Sequence, residues 1–218
     1  SDTTGRLPFG SLISVGGILY GMTNAGGVND AGVVFSFDPG TQSYTVLHEF
    51  SYLDGISPLG SLISVGGTLY GMTSGGGLYG GGTIFSLTTD GSSYATLFMF
   101  SNAGANGYEP HGSLISVGGI LYGMTSKGGA NDTGVIFSFN VTNAEYVVLH
   151  EFDIKNDGTH PFGSLVYDND ILYGMTSQDG PKTGSVFSYD LQTGVFRVLD
   201  DSQTFAVSGD FPVQGSLT

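Results

Sequence analysis

The sequence predicts an all-β fold, a β-propeller of four blades with four strands each, on three observations. First, a thirteen-residue word is written four times: "SLISVGGILYGMT" at Ser11–Thr23, "SLISVGGTLYGMT" at Ser61–Thr73, "SLISVGGILYGMT" at Ser113–Thr125 and the altered "SLVYDNDILYGMT" at Ser164–Thr176. Its "LYGMT" part begins at Leu19, Leu69, Leu121 and Leu172, in steps of 50, 52 and 51 residues. Second, each step holds four short apolar runs broken by Gly, Asn, Asp and Pro, which is the punctuation of strands and turns. Third, no window of ten or more residues follows a helical period. A β-sandwich would leave the even period unexplained.

The first unit shows how each element is read. Its strands are "SLISV" (Ser11–Val15), "ILYGMT" (Ile18–Thr23), "GVVFSF" (Gly32–Phe37) and "YTVLHEF" (Tyr44–Phe50). The first link, Gly16-Gly17, supplies the two positive φ angles that a two-residue hairpin needs. The fourth unit writes Asp168-Asn169-Asp170 there, and Asn and Asp also tolerate that geometry. The third link, Asp38–Ser43, is another short turn. Strands two and three are apolar at nearly every position, so both of their faces should be covered, as in a blade packed between neighbours. Cutting before each "P-x-G-S-L" gives units 8–57, 58–109, 110–160 and 161–211 of one domain, with a stub of a fifth at 212–218. The methionines of the word, Met22, Met72, Met124 and Met175, are expected to be buried between blades, and so are Tyr20, Tyr70, Tyr122 and Tyr173.

Composition narrows the function. The 218 residues carry 19 acidic and 5 basic side chains, a formal net charge of −14, which repels phosphate backbones and anionic membranes and speaks against nucleic acid as a partner. Cysteine is absent, so there is no disulfide framework, thiolate metal site or cysteine nucleophile. No apolar run reaches the length of a membrane helix. The opening "SDTTGRLPFG" is not a signal peptide, but a mature chain would have lost one, and a secreted or cell-surface protein is expected.

"LYGMTSKGGANDTGVIFSF" (Leu121–Phe139), followed by "Y-x-V-L-H-E-F", resembles the bacterial GloVer-type tandem repeat, over residues 8–211. That repeat reads L-Y-G-x-T, a Gly-rich loop, G-x-[VI]-F-S, then L-x-x-F. The layout is also similar to a kelch blade, although the kelch Trp has no counterpart here. The resemblance implies a repeat propeller, occurring in exported bacterial proteins, and brings no catalytic residues with it.

In such a blade, links one and three share one face, while link two and the connection to the next blade share the other. The former are short in all units. The latter, which we call the top loops, are long and hold most of the variation, and loops on a rigid scaffold are where binding chemistry usually sits. The candidate ligand-binding residues are therefore Asn29, Asp30, Asp54, Tyr79, Tyr108, His111, Asn131, Asp132, Asp157 and His160. The pairs Asn29-Asp30 and Asn131-Asp132 could bond sugar hydroxyls, or cap their own turns. Tyr79 and Tyr108 lie in variable loops and could stack on a ligand. His111, His160, Asp54 and Asp157 are the acid/base groups nearest the channel mouth. The "LHEF" words place His48-Glu49 and His150-Glu151 at the rim, on opposite faces of the outer strand. No catalytic, phosphate-binding or metal motif is found, and no cofactor is expected.

The expectation is a non-catalytic binding module for a neutral glycan or a partner protein. A polysaccharide-active enzyme with its site at the channel mouth and a structural repeat module of a larger exported protein are the alternatives. In a larger propeller, open blade edges could pair with a second copy of the chain.

Overall fold

The computed structural model describes residues 3–102, 104–177 and 184–200. The predicted stub 212–218, the connection after the sixteenth strand and most of the fourth long link lie outside these residues. The described residues form sixteen strands and no helix. They divide into two compact units, Ser1–Asn102 and Ala103–Thr218. Each unit carries two four-stranded antiparallel sheets in sequential order, so each repeat supplies one propeller blade.

In the first unit, blade 1 is β1 (Ile13–Val15), β2 (Ile18–Thr23), β3 (Val33–Asp38) and β4 (Ser43–Glu49). Blade 2 is β5 (Ile63–Val65), β6 (Thr68–Thr73), β7 (Gly80–Thr88) and β8 (Tyr94–Ser101). In the second unit, blade 3 is β9 (Ile115–Val117), β10 (Ile120–Thr125), β11 (Val135–Asn140) and β12 (Glu145–Glu151). Blade 4 is β13 (Val166–Asp168), β14 (Ile171–Met175), β15 (Val186–Asp190) and β16 (Phe196–Asp200).

The repeated word explains itself residue by residue. Gly16 and Gly17 turn with φ of 60° and 84°, and Asn169 and Asp170 take the same left-handed geometry at 48° and 65°. The Gly of "LYGMT" is fixed by crowding. A Cβ built on Gly21, Gly71, Gly123 or Gly174 would fall 2.7, 2.6, 2.6 or 2.4 Å from the Cζ of the cross-strand Phe35, Phe85, Phe137 or Phe187. The closing Thr ties the neck of the long loop: Thr23, Thr73, Thr125 and Thr176 accept the N–H of Val33, Thr83, Val135 and Ser185 at 3.2, 3.1, 3.2 and 3.0 Å. A rigid neck under a variable loop is what repetition of the word secures.

Within each unit the core lies between its two blades. In the first unit Met22, Val34 and Phe50 of blade 1 cluster with Leu62, Leu69, Phe85 and Leu87 of blade 2. In the second, Met124, Ile136 and Phe152 of blade 3 meet Leu165, Leu172, Phe187 and Tyr189 of blade 4. Met22, Met72 and Met124 are buried as the pattern predicts, whereas Met175 of the last blade is half-buried. Tyr20 and Tyr122 are buried, and Tyr70 and Tyr173 are half-buried.

One feature of every blade leaves no mark in the hydrophobic pattern. Where strand three pairs with strand four, the register slips by one residue, leaving Leu47, Leu97, Leu149 and Leu199 as the extra residue of a β-bulge. Val46 pairs with Phe35 and His48 with Val34, so the bulge turns Val46 and His48 to opposite faces although they are two residues apart. His48 and Phe50 are thereby aimed at blade 2. His48 is therefore not a rim residue: its ring stacks on Tyr94 at 3.7 Å, with the planes 1° apart. His150 likewise stacks on Phe196 at 3.8 Å.

Candidate functional site

The long links between strands two and three, and between one blade and the next, leave the sheets at the edge opposite the Gly-Gly hairpins, as antiparallel order requires. Within the first unit this top face carries Asn29, Asp30, Asp54 and Tyr79, and within the second Tyr108, His111, Asn131, Asp132, Asp157 and His160.

Blades 1 and 3 spend their amide–carboxylate pairs on their own loops. The Asp30 carboxylate accepts the N–H of Gly26 at 2.9 Å and, at 2.7 Å to each oxygen, Nη2 of Arg6. The Gly26 hydrogen bond and then Arg6 hold its pKa below the usual carboxylate range. Asn29 donates to the Phe50 carbonyl at 3.0 Å, and Glu49 accepts the Val28 N–H at 2.7 Å. Blade 3 repeats the arrangement: Asp132 accepts from Gly128 at 2.9 Å, and Glu151 from Ala130 at 2.7 Å. Asn131 stands in place of Asn29, its amide 3.5 Å from the Phe152 carbonyl. Asp30 and Asp132 both take left-handed φ, at 55° and 57°.

Asp54 and Asp157 belong to a latch between blades. Asp54 accepts the N–H and the hydroxyl of Ser51, each at 2.6 Å, and meets His48 Nε2 at 2.8 Å. Its backbone carbonyl accepts the hydroxyls of Thr83 at 3.0 Å and Tyr94 at 3.1 Å, both from blade 2. Asp157 accepts the Asp153 N–H at 3.1 Å and meets His150 Nε2 at 2.9 Å. Burial pushes the His150 pKa down against the pull of this carboxylate.

The two tyrosines part company. Tyr79 is exposed at a loop tip. Tyr108 is half-buried and pairs with Lys127 through backbone hydrogen bonds of 2.9 and 3.2 Å. Burial first, and its hydrogen bond to Asp132 second, raise its pKa. Lys127 in turn sits 5.9 Å over the Tyr108 ring and 3.0 Å from Glu109. His111 packs edge-on against Phe162 at 4.6 Å, and burial lowers its pKa. His160 Nδ1 lies 2.9 Å from the Thr159 hydroxyl.

The structure adds residues that the repeat pattern does not single out. Tyr52 and Leu53, on the connection from blade 1, are 60% and 69% exposed, and Leu78 and Tyr79, on the blade 2 loop, are 65% and 54% exposed. The two loops touch: Gly77 N–H donates to the Tyr52 carbonyl at 2.7 Å, and a Cβ built on Gly80 would lie 3.4 Å from the Tyr52 hydroxyl. Four large exposed side chains thus share one small area. A second row runs through all four blades, where Leu7, Ser57, Glu109 and His160 hold φ of 59°, 56°, 55° and 52° ahead of the blade-opening Pro. Left-handed backbone costs a non-Gly residue about 1 kcal/mol or more. Here each carbonyl accepts the N–H of the residue after the next "LYGMT": Asn24, Ser74, Ser126 and Ser177, at 3.0, 3.2, 3.1 and 3.2 Å.

Among the described residues, no three or more His, Asp or Glu side chains group so as to hold a metal ion. Nor is any helix among them long and apolar enough to cross a membrane.

Four-stranded meander blades packed face to face and tied by repeated turns define a repeat β-propeller. The pattern of the Gloeobacter/Verrucomicrobia repeat matches residues 7–218, and the chain belongs to that family. Solved structures share the fold at low identity. Nidogen, solved in complex with laminin, is 16% identical with a TM-score of 0.64, over 97% of this chain and 68% of that one. TolB from Acinetobacter baumannii is 15% identical with a TM-score of 0.55, over 85% of this chain and 41% of its own. A polysaccharide lyase solved with a bound sugar chain is 14% identical with a TM-score of 0.58, over 90% of this chain and 56% of its own. The chain thus spans 41–68% of the length of these chains, and the likeness is one of fold. No curated protein sequence matches it.

Proposed function

We propose that the protein is a non-catalytic binding module that takes a neutral glycan on the top loops of its first unit, outside the cell. The observation that carries this reading is the shared patch of Tyr52, Leu53, Leu78 and Tyr79, all more than half exposed on two loops that touch. Aromatic faces stack on sugar rings with little need for charge, and a net charge of −14 favours neutral over acidic sugars. The carboxylates of Asp30, Asp54, Asp132 and Asp157 and the imidazole of His48 are engaged in holding loops and blades, which supports binding over turnover. Leu53 and Leu78 support a second reading, in which the same patch meets a partner protein. A glycan array on the purified chain, followed by titration of Tyr52→Ala and Tyr79→Ala, tests the proposal. Removing either ring should weaken binding by about 0.5–1.5 kcal/mol. Unchanged affinity in both variants, or release of product from a polysaccharide panel, overturns it.

A further inference from the structure

Blade 2 writes a glycine where blades 1 and 3 write a loop carboxylate. The long loops align from Thr23–Val33 to Thr73–Thr83, so Gly80 stands where Asp30 stands and Gly81 where Ala31 stands. With this change strand three begins early: β7 starts at Gly80 and spans nine residues, whereas β3 and β11 have six. Gly80 pairs with Ser101 across the sheet, and the Asn102 N–H donates to the Tyr79 carbonyl at 3.3 Å. The extension requires that Gly81 lack a side chain, since a Cβ there would fall 2.7 Å from the Phe100 carbonyl oxygen. From the other side, the Gly77 N–H donates to the Tyr52 carbonyl at 2.7 Å. The loop tip Leu78-Tyr79 is thereby held between the segments that leave blades 1 and 2.

Tyr52 and Asn102 occupy the same place in successive blades, two residues after Phe50 and Phe100. Their polar ends converge on Gly80. A Cβ built there would lie 3.2 Å from Nδ2 of Asn102 and 3.4 Å from the Tyr52 hydroxyl. In blade 1 the equivalent side chain is the Asp30 carboxylate, tied to Gly26 and Arg6. In blade 2 that space is a shallow recess walled by an amide and a phenol. Asn102 is exposed, as is Tyr52, and among the described residues no hydrogen bond engages either polar head.

We infer that the recess over Gly80 reads the hydroxyls of a neutral sugar ring, with the Asn102 amide and the Tyr52 hydroxyl as its specificity-determining pair. This rests on the glycan-binding reading of the same patch and adds to it what the patch distinguishes. Neither head carries a charge, and each both donates and accepts hydrogen bonds. Sugar hydroxyls do the same, so two adjacent hydroxyls can each find a partner, one on the amide and one on the phenol. Stacking on Tyr79 holds a ring whatever the orientation of its hydroxyls. The polar pair adds discrimination, because a site built to bond a hydroxyl rejects a ligand that leaves its own polar groups unpaired.

The test titrates the full chain in a calorimeter with the β-linked hexasaccharides of glucose, mannose and galactose, whose rings differ in the orientation of one hydroxyl. Asn102→Ala and Tyr52→Phe should each weaken the best-bound sugar about two- to tenfold and narrow the spread of affinities among the three. Tyr79→Ala should weaken all three by a similar factor and leave their ranking unchanged. The melting temperature should match wild type in every variant, which separates lost recognition from a damaged fold. Wild-type affinities and ranking in both Asn102→Ala and Tyr52→Phe, with binding weakened in Tyr79→Ala, overturn this inference and leave the glycan reading standing. Absence of saturable heat with all three sugars overturns it as well, and a blank glycan array then removes the wider reading too.

Discussion

Blades 1 and 2 share a scaffold and differ in how their long loops are closed. In blade 1, Glu49, Asn29 and Asp30 bond the loop backbone, and blade 3 repeats this with Glu151, Asn131 and Asp132. Blade 2 has none of these. Met99 stands where Glu49 stands and packs near Gly77, β7 runs back to Gly80, and the loop tip is Leu78-Tyr79. The polar loop turns its functional groups inward to hold itself. Both loops share one backbone closure, Asp30 to Gly27 at 3.3 Å and Gly32 to Gly26 at 3.0 Å in blade 1, and Gly80 to Gly77 at 3.2 Å and Gly82 to Gly76 at 3.0 Å in blade 2. Without the added carboxylate and amide bonds, the glycine loop presents Leu78 and Tyr79 to solvent. The blade that lacks the polar residues a sequence reader looks for is the one with a surface to offer.

The comparison can be broken at five points, in falling order of effect. Phe50→Ala empties the interblade core and should cost about 3–5 kcal/mol in chemical denaturation, a scaffold defect felt by both loops alike. Asp54→Ala removes the Ser51 cap and the His48 contact and should cost about 1–3 kcal/mol, with Asp157→Ala matching it in the second unit. Stability should also fall as pH drops from 7 to 5. Burial lowers the folded-state pKa of His150 and His111, so the unfolded chain takes up more protons, and the stabilisation present above the unfolded value is lost below it. His150→Phe should flatten part of that slope in melts run across the range. Asn29→Ala should cost about 0.5–1.5 kcal/mol and loosen the blade 1 loop in hydrogen exchange. Tyr79→Ala should change stability by less than about 0.5 kcal/mol, because its ring lies outside the core. Equal stability costs at Asn29 and Tyr79 would show that the two loops are not built differently.

The blades were legible because their signals are local: Gly-Gly and Asn-Asp turns, a glycine under a phenylalanine, a threonine at the loop neck. The placement of His48 was not, since a one-residue bulge at Leu47 reverses the alternation from which a face is read, and leucine marks it no more than it marks any strand position. Tyr79 and Tyr108 look alike as loop aromatics. They differ because Tyr108 sits two residues before the blade-opening Pro110, where the backbone pairs with Lys127, while Tyr79 stands on glycines that pair without involving its ring. Tyr52 and Leu53 gain their meaning from contact with a loop some 25 residues away in sequence, which no local pattern contains.

The left-handed row at Leu7, Ser57, Glu109 and His160 has a practical corollary. An aliphatic, a hydroxyl, a carboxylate and an imidazole occupy the same backbone geometry, held there by main-chain bonds and indifferent to what hangs from it. The repeat therefore provides an addressable slot in each blade, and a combinatorial library written only into those four codons would vary the displayed chemistry while the frame that displays it stays the same.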